Sequence, residues 1–188
     1  AVWVPVDGFT GATALARAAE SGLEGITAGG LTWSDAFIGH MSGSIGETSA
    51  LACLVGAVIL ILTRVGSWYT MAGAVAGTIA MALLLNGIGS KTNLWFAIPF
   101  WWHMVLGGWA FGVAFMATDP VTSPFTNKGK LIYGFLIGAL IVLIRVVNPA
   151  YPESVMLVIL FMNVIAPLID YYLVKANIKR RAKRRAEA

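Results

Sequence analysis

Apolar residues run along this chain in long blocks with no strict two-residue alternation, and short polar or glycine-containing segments separate them. Five blocks are apolar enough to span a bilayer: 48–63, 68–85, 96–117, 131–147 and 154–174. A spanning helix needs ~20 residues, with ~17 tolerated, so the first must draw on flanking residues. In lipid only helices and closed barrels satisfy the backbone, and the missing alternation favours helices. The expected fold is an all-α integral membrane bundle of five transmembrane helices.

Residues 1–47 read differently. The stretch 15–20 can form a short helix, while Gly22, Gly25, Gly29 and Gly30 break any long one. The stretch 32–39 reads as a short amphipathic element capped by Ser34 or Thr32. The expected layout is an outer-face segment with a re-entrant or interfacial element (1–47), the bundle (48–174) and a basic cytoplasmic tail (175–188). Gly73 and Gly77, Gly108 and Gly112, and Gly134 and Gly138 recur four apart, a spacing that lets helix backbones approach closely in lipid. Trp68, Trp95, Trp101, Trp102, Tyr151 and Tyr171 fall near predicted helix ends and read mostly as interfacial anchors.

Composition agrees: 58% of the 188 residues are hydrophobic and only 12% charged, about half the charge of a soluble domain. The chain has neither an initiator Met nor a signal-peptide start, and reads as a piece or processed product of something longer. Seven of the 13 Lys and Arg lie in the tail, from Lys175 to Arg185. A basic run directly after a membrane helix points to topology and anionic headgroups, not to nucleic acid. With the tail in the cytoplasm, Arg64, Lys128 and Lys130 also fall inside, leaving Arg17, Lys91 and Arg145 outside. That places Thr13 on the outer face.

Chemistry concentrates in three places. In Asp7-Gly8-Phe9-Thr10-Gly11-Ala12-Thr13, two glycines and a small alanine leave room for a phosphate at the final hydroxyl, and Asp7 could hold a metal or be read by a modifying enzyme. By composition alone it is also an ordinary Gly/Thr turn. Gly43-Ser44-Ile45-Gly46-Glu47-Thr48-Ser49 leads into the first membrane helix. Thr48 or Ser49 can cap that helix, Glu47 suits its positive end, and free N–H groups there can bind an anion or a carbonyl edge. Asp119 and Asp170 are acids near membrane depth, functional by default although each has a bland reading as a turn or helix-end residue. Pro167 frees the carbonyl of Asn163, and Asn163 and Asp170, seven apart, share a helix face with oxygen ligands of the kind a hard cation takes. The lone Cys53 reads as a small core residue, and His40 and His103 give little support for haem. No P-loop or dinucleotide fingerprint is present, so any NADH site belongs to a partner.

The segment ending at Thr13 resembles the D-G-x-S/T-G-A-T signature at which a flavin transferase couples FMN, through its phosphate, to the last threonine. With the 43–49 run and the basic tail, nearly the whole chain resembles the C-terminal half of NqrB, a membrane component of the sodium-translocating NADH:quinone oxidoreductases. NqrB shares its family with RnfD of the Rnf ferredoxin:NAD oxidoreductases. The resemblance implies half of a ten-helix, urea-transporter-like inverted-repeat fold in a bacterial inner membrane. It implies FMN esterified to Thr13 on the periplasmic side, with Asp7, Gly11, Ser44, Glu47 and Thr48 as flavin-site residues and riboflavin shared with the other half. It also implies sodium movement past Asp170 and Asp119, to which the shared helix face adds Asn163, with quinone as acceptor and partner subunits carrying FMN and iron–sulfur centres. Two alternatives stand beside this: the Rnf branch, and a passive transporter or channel without a redox cofactor.

Overall fold

The computed structural model describes residues 13–27, 30–44, 46–90, 93–148 and 152–186. Every regular element among them is helical: α1 (Ala14–Thr27), α2 (Trp33–Ile38), α3 (Ala50–Leu62), α4 (Trp68–Ile88), a 3-10 turn (Leu94–Ala97), α5 (Phe100–Val105), α6 (Trp109–Phe111), a π-turn (Gly112–Met116), α7 (Asn127–Val147) and α8 (Val155–Ala186). Three of these, α4, α7 and α8, are long and apolar enough to cross a membrane. The 21 residues of α4 and of α7 reach about 31 Å at 1.5 Å per residue, the thickness of a hydrocarbon core.

The remaining two predicted spans take other forms. Helix α3 has 13 residues, about 20 Å, too short to cross alone. The block 96–117 is interrupted. Helix α5 stops at Leu106, Gly107 turns the chain at φ 64°, and a new turn starts at Trp109. Two adjacent glycines in an apolar run allow that left-handed step, and Pro99 sits at the start of α5 where its missing N–H is harmless.

The scaffold is the parallel pair α4 and α7, along which residue numbers rise together, from Thr70 beside Gly134 to Thr78 beside Gly138, and which carries the densest contact among the described elements. Its cause is the predicted glycine spacing. A methyl group on Gly77 would strike the Phe135 carbonyl oxygen, one on Gly138 the Ala74 carbonyl oxygen, and one on Gly134 the Thr70 carbonyl oxygen. In lipid, where no water drives helices together, this backbone proximity supplies the packing. A polar thread crosses it: Trp109 Nε1 donates to Thr78 Oγ1 (3.0 Å), and Thr78 Oγ1 to the Gly138 carbonyl (3.5 Å). Helix α8 packs on α7 and continues through Pro167 to Ala186. The basic tail is therefore helical, and Asp170 lies mid-helix instead of in a last turn.

Helix α1 kinks at Gly22 (φ 63°), where it meets Leu94. Thr32, not Ser34, caps α2 in a reciprocal capping box with Asp35. The aromatic expectation holds in part. Trp68, Trp101 and Tyr171 are exposed, but Trp95 and Trp102 are buried, with Trp95 stacked on His103 at 5.8 Å between ring centres. Nearness to a predicted helix end misleads there, because the chain folds back at that end and covers both rings. Tyr151 lies outside the described residues.

Candidate flavin cavity and cation path

Thr13 is the residue at which α1 begins. Its carbonyl accepts from Arg17 N (3.0 Å) and its Oγ1 from Ala16 N (3.2 Å). Around it lie Met41, Ser42 and Gly43 from the loop before α3, Glu47, Gly107 from the break after α5, and Glu153 ahead of α8. The opening at Thr13 itself is about 10 Å³, room for roughly one water. A larger cavity of about 330 Å³ shares Glu47 and Glu153 with it, and is also bounded by Ser44, Gly108, Phe111, Met116, Val155 and Met156.

Local chemistry explains why the walls meet. Glu47 Oε1 accepts from Ser44 N (3.1 Å), closing the 44–47 turn. Its Oε2 rests against Gly108, where any side chain would displace it. Ser49, not Thr48, caps α3, accepting from Ala52 N (3.2 Å). Thr48 packs its methyl beside Gly43 instead. Cys53 is buried, with its thiol directed at the Gly46 carbonyl, as a core residue would be. Thr13 and Ser44, named from separate stretches of sequence, therefore border two neighbouring cavities that share Glu47 and Glu153. Asp7 and Gly11 lie outside the described residues.

Sequence reasoning missed four contributors: Gly107, Gly108, Glu153 and Arg145. Arg145 is fully buried. It donates to the carbonyls of His103 (Nη1, 2.7 Å), Leu106 (Nη2, 2.9 Å) and Pro152 (Nε, 3.3 Å), and its Nη2 lies close behind Gly107. These are carbonyls that the broken helix and the turn before α8 leave without helical partners, and one guanidinium fork satisfies all three. A single charge inside an apolar run was the available signal. Counting it for topology alone passed over it.

The acids of the second group lie at the other end. Fifteen residues of α8 separate Val155, beside Glu153, from Asp170, about 23 Å along the axis. Asp170 reaches the start of α7: Oδ2 accepts from Phe125 N (2.6 Å), and Oδ1 from Thr126 Oγ1 (2.7 Å) and Thr126 N (3.3 Å). Thr126 Oγ1 in turn caps α7 through Gly129 N (3.0 Å). Asn163 accepts instead from the Tyr133 hydroxyl. Seven residues of helix put Asn163 about 10 Å from Asp170, too far for both to bind one ion with ligands at ~2.5 Å. They share a face but form two stations. Asp119 forms its own turn, Oδ2 accepting from Thr122 N (3.0 Å) and Thr122 Oγ1 (2.8 Å). The Thr122 hydroxyl holds its carboxyl below the ordinary range. Among the described residues no group of three or more His, Cys, Asp or Glu could hold a metal ion. His40 lies near Asp35 (3.8 Å) while His103 is buried against Trp95, so each has a local role apart from haem.

Residues 1–179 match the NQR2, RnfD, RnfE family. The chain is 58% identical over 184 residues to the B subunit of the Na(+)-translocating NADH-quinone reductase of Pseudomonas paraeruginosa, covering 98% of this chain and 46% of that protein. It is 56% identical to the corresponding protein of Azotobacter vinelandii (97% of this chain, 45% of that protein) and 55% identical to that of Chromohalobacter salexigens (98% and 45%). The chain thus spans about half the length of these relatives. With that coverage, and with three helices of membrane length, the chain belongs to the NQR2, RnfD, RnfE family.

Proposed function

We propose that this chain is the flavin-bearing half of the NqrB component of a sodium-translocating NADH:quinone oxidoreductase, with FMN esterified to Thr13. The observation that carries this reading is the convergence of Thr13, Ser44 and Glu47 on adjoining cavities at one end of the bundle. The residues fit the group. Thr13 Oγ1 already stands at the start of α1, where the helix N-terminus favours a phosphate, and its present role as an acceptor needs no hydroxyl proton. Gly43, Gly107 and Gly108 keep side chains out of the approach. The 330 Å³ cavity, with Phe111, Met116, Val155 and Met156 on its walls, is of a size and polarity suited to a planar ring system.

When bound, the flavin would supply the electron transfer, and the protein would supply position and solvent exclusion. Thr13 fixes the phosphate end, Ser44 and Glu47 border the ring, and Arg145 holds the glycine turn that forms the cavity floor. In this reading electrons come from another flavin-bearing subunit and leave toward riboflavin and quinone. Sodium passes Asn163, Asp170 and Asp119 toward the opposite end, and the tail faces the cytoplasm of a bacterial inner membrane. The similarity of the three relatives favours this branch over the Rnf branch.

The test is a denaturing gel of the purified complex viewed under ultraviolet light, with intact-mass measurement of the band. A fluorescent band heavier by one esterified flavin nucleotide, and lost in Thr13→Val, is the expected result. A dark band of unmodified mass from a host able to modify it overturns the reading. Quinone reduction from NADH, against electron exchange with ferredoxin, separates the two branches.

A further inference from the structure

The feature left unused by the flavin cavity and the cation path is a cleft between the start of α7 and the far part of α8. Its volume is about 480 Å³, and Thr126, Asn127, Lys128, Leu173, Ala176, Asn177 and Arg180 line it. Two cations from two different helices face one space. Arg180 is anchored in place by Asn177, whose Oδ1 accepts from Nη2 (2.9 Å). Leu173 and Ala176 supply an apolar side. No acid lines the cleft, and α8 carries none from Tyr171 to Ala186. The nearby carboxylate of Asp170 is turned onto Phe125 N and Thr126.

The depth of the cleft is marked independently. Tyr171 and Tyr172 are exposed, and Lys175 Nζ lies over the Tyr171 ring (5.6 Å to its centre). Exposed tyrosines followed by lysine mark the headgroup level of a bilayer. Just below, Val164 and Leu168 of α8 and Leu131 and Ile132 of α7 are exposed and apolar, as acyl chains require. A space with two cations at headgroup depth and apolar surfaces beneath has the chemistry of a phospholipid, and basic pockets between membrane helices bind anionic headgroups.

We propose that this cleft is a binding site for one anionic phospholipid, its phosphate held by Lys128 and Arg180 and its chains lying along α7 and α8. The site is distinct from diffuse attraction of the whole tail, because Lys128 belongs to α7 and closes the cleft from the opposite wall.

The test uses the intact complex carrying the full-length protein, equilibrated in nanodiscs of equal parts phosphatidylglycerol and phosphatidylcholine, extracted and examined by native mass spectrometry. The expected wild-type spectrum retains phosphatidylglycerol in preference to phosphatidylcholine. The double variant Lys128→Gln/Arg180→Gln weakens that retention roughly thirtyfold, about fivefold per cation at a charged surface. Arg181→Gln/Arg184→Gln, which removes the same charge from the tail beyond the cleft, leaves it unchanged. Lys128→Arg/Arg180→Lys keeps the charge and the lipid, which guards against loss by misfolding. Equal loss in the two glutamine variants, loss in the charge-conserving one, or no preference for phosphatidylglycerol each overturns the proposal.

Discussion

The pair α4 and α7 and the interrupted stretch from Leu94 to Met116 both read from sequence as plain spanning helices, yet they are built by opposite means. In the pair, glycines bring two unbroken backbones together, and each helix satisfies its own hydrogen bonds. In the interrupted stretch, glycines break the backbone, and the freed carbonyls need a guest donor, Arg145. The same residue type therefore makes a rigid scaffold in one place and a cavity floor in the other. Irregular backbone at membrane depth persists only where protein buries it or a polar cavity borders it, and here both hold.

The comparison breaks most completely at the scaffold. Gly138→Leu forces a side chain into the Ala74 carbonyl, and backbone cannot move aside as a side chain does. Overpacking of this kind costs at least ~1–3 kcal/mol. The expected outcome is loss of the monodisperse complex on size exclusion. At Gly112→Ala the nearest atoms belong to the side chains of Val155 and Ile159 instead of to backbone, so the complex should survive with a smaller loss. Equal tolerance of both would remove the distinction.

Next in size is Arg145→Met, which leaves two buried carbonyls and one part-buried carbonyl without their donor. At about 1–3 kcal/mol for each unsatisfied group, the unfolding temperature should fall clearly, and on the flavin reading the flavin content at Thr13 should fall with it because Gly107 loses its support. Arg145→Lys should recover only part of both readouts, since an ammonium does not reproduce the planar fork. A variant with wild-type flavin content would detach Arg145 from the cavity.

What the sequence disclosed follows the same division. Period and hydropathy mark α4, α7 and α8, because a regular helix in lipid must be apolar through its span, and Gly73/Gly77 and Gly134/Gly138 announce their own packing, whereas Gly108/Gly112 lies at the break and meets side chains of Glu47, Val155 and Ile159. Thr13, Ser44 and Glu47 are legible because they lie in short motifs. The break at Gly107, the burial of Trp95 and the pairing of Arg145 with carbonyls 39 and 42 residues away are not local properties. Arg145 and Glu153 reach the cavity only through tertiary folding. Asn163 and Asp170 illustrate the converse: a shared face is readable from spacing, but the roughly 10 Å between them becomes decisive only when their separate partners, Tyr133 and Thr126, are seen.

At the opposite end from the cavity, Asp170 has two duties that substitution can separate. Asp170→Ala removes both the charge and the acceptor that holds Thr126, and loss of such a cap costs about 1 kcal/mol. Asp170→Asn keeps an acceptor and discards the charge. On the sodium reading both variants should lose much of the sodium stimulation of turnover while retaining FMN, and only the alanine should lower the unfolding temperature. Unchanged sodium stimulation in the asparagine variant would leave Asp170 as a structural cap alone.

Asp119 gives the smallest and most diagnostic effect. The Thr122 hydroxyl and amide favour its charged form, so the folded carboxyl titrates below its ordinary 3.8. A depressed carboxyl contributes stability that is present above the unfolded value and is lost as pH falls through the folded one. The window is therefore below about pH 4. Wild type should lose slightly more thermal stability than Asp119→Asn on passing from about pH 5 to about pH 3, and the two should run in parallel above that window. Parallel curves throughout would mean that Thr122 does not hold the carboxylate. The same depression keeps Asp119 charged at neutral pH. On the sodium reading this end then offers a cation a fixed negative charge at Asp119, whereas the cavity at Thr13 presents its carboxylates beside a buried guanidinium.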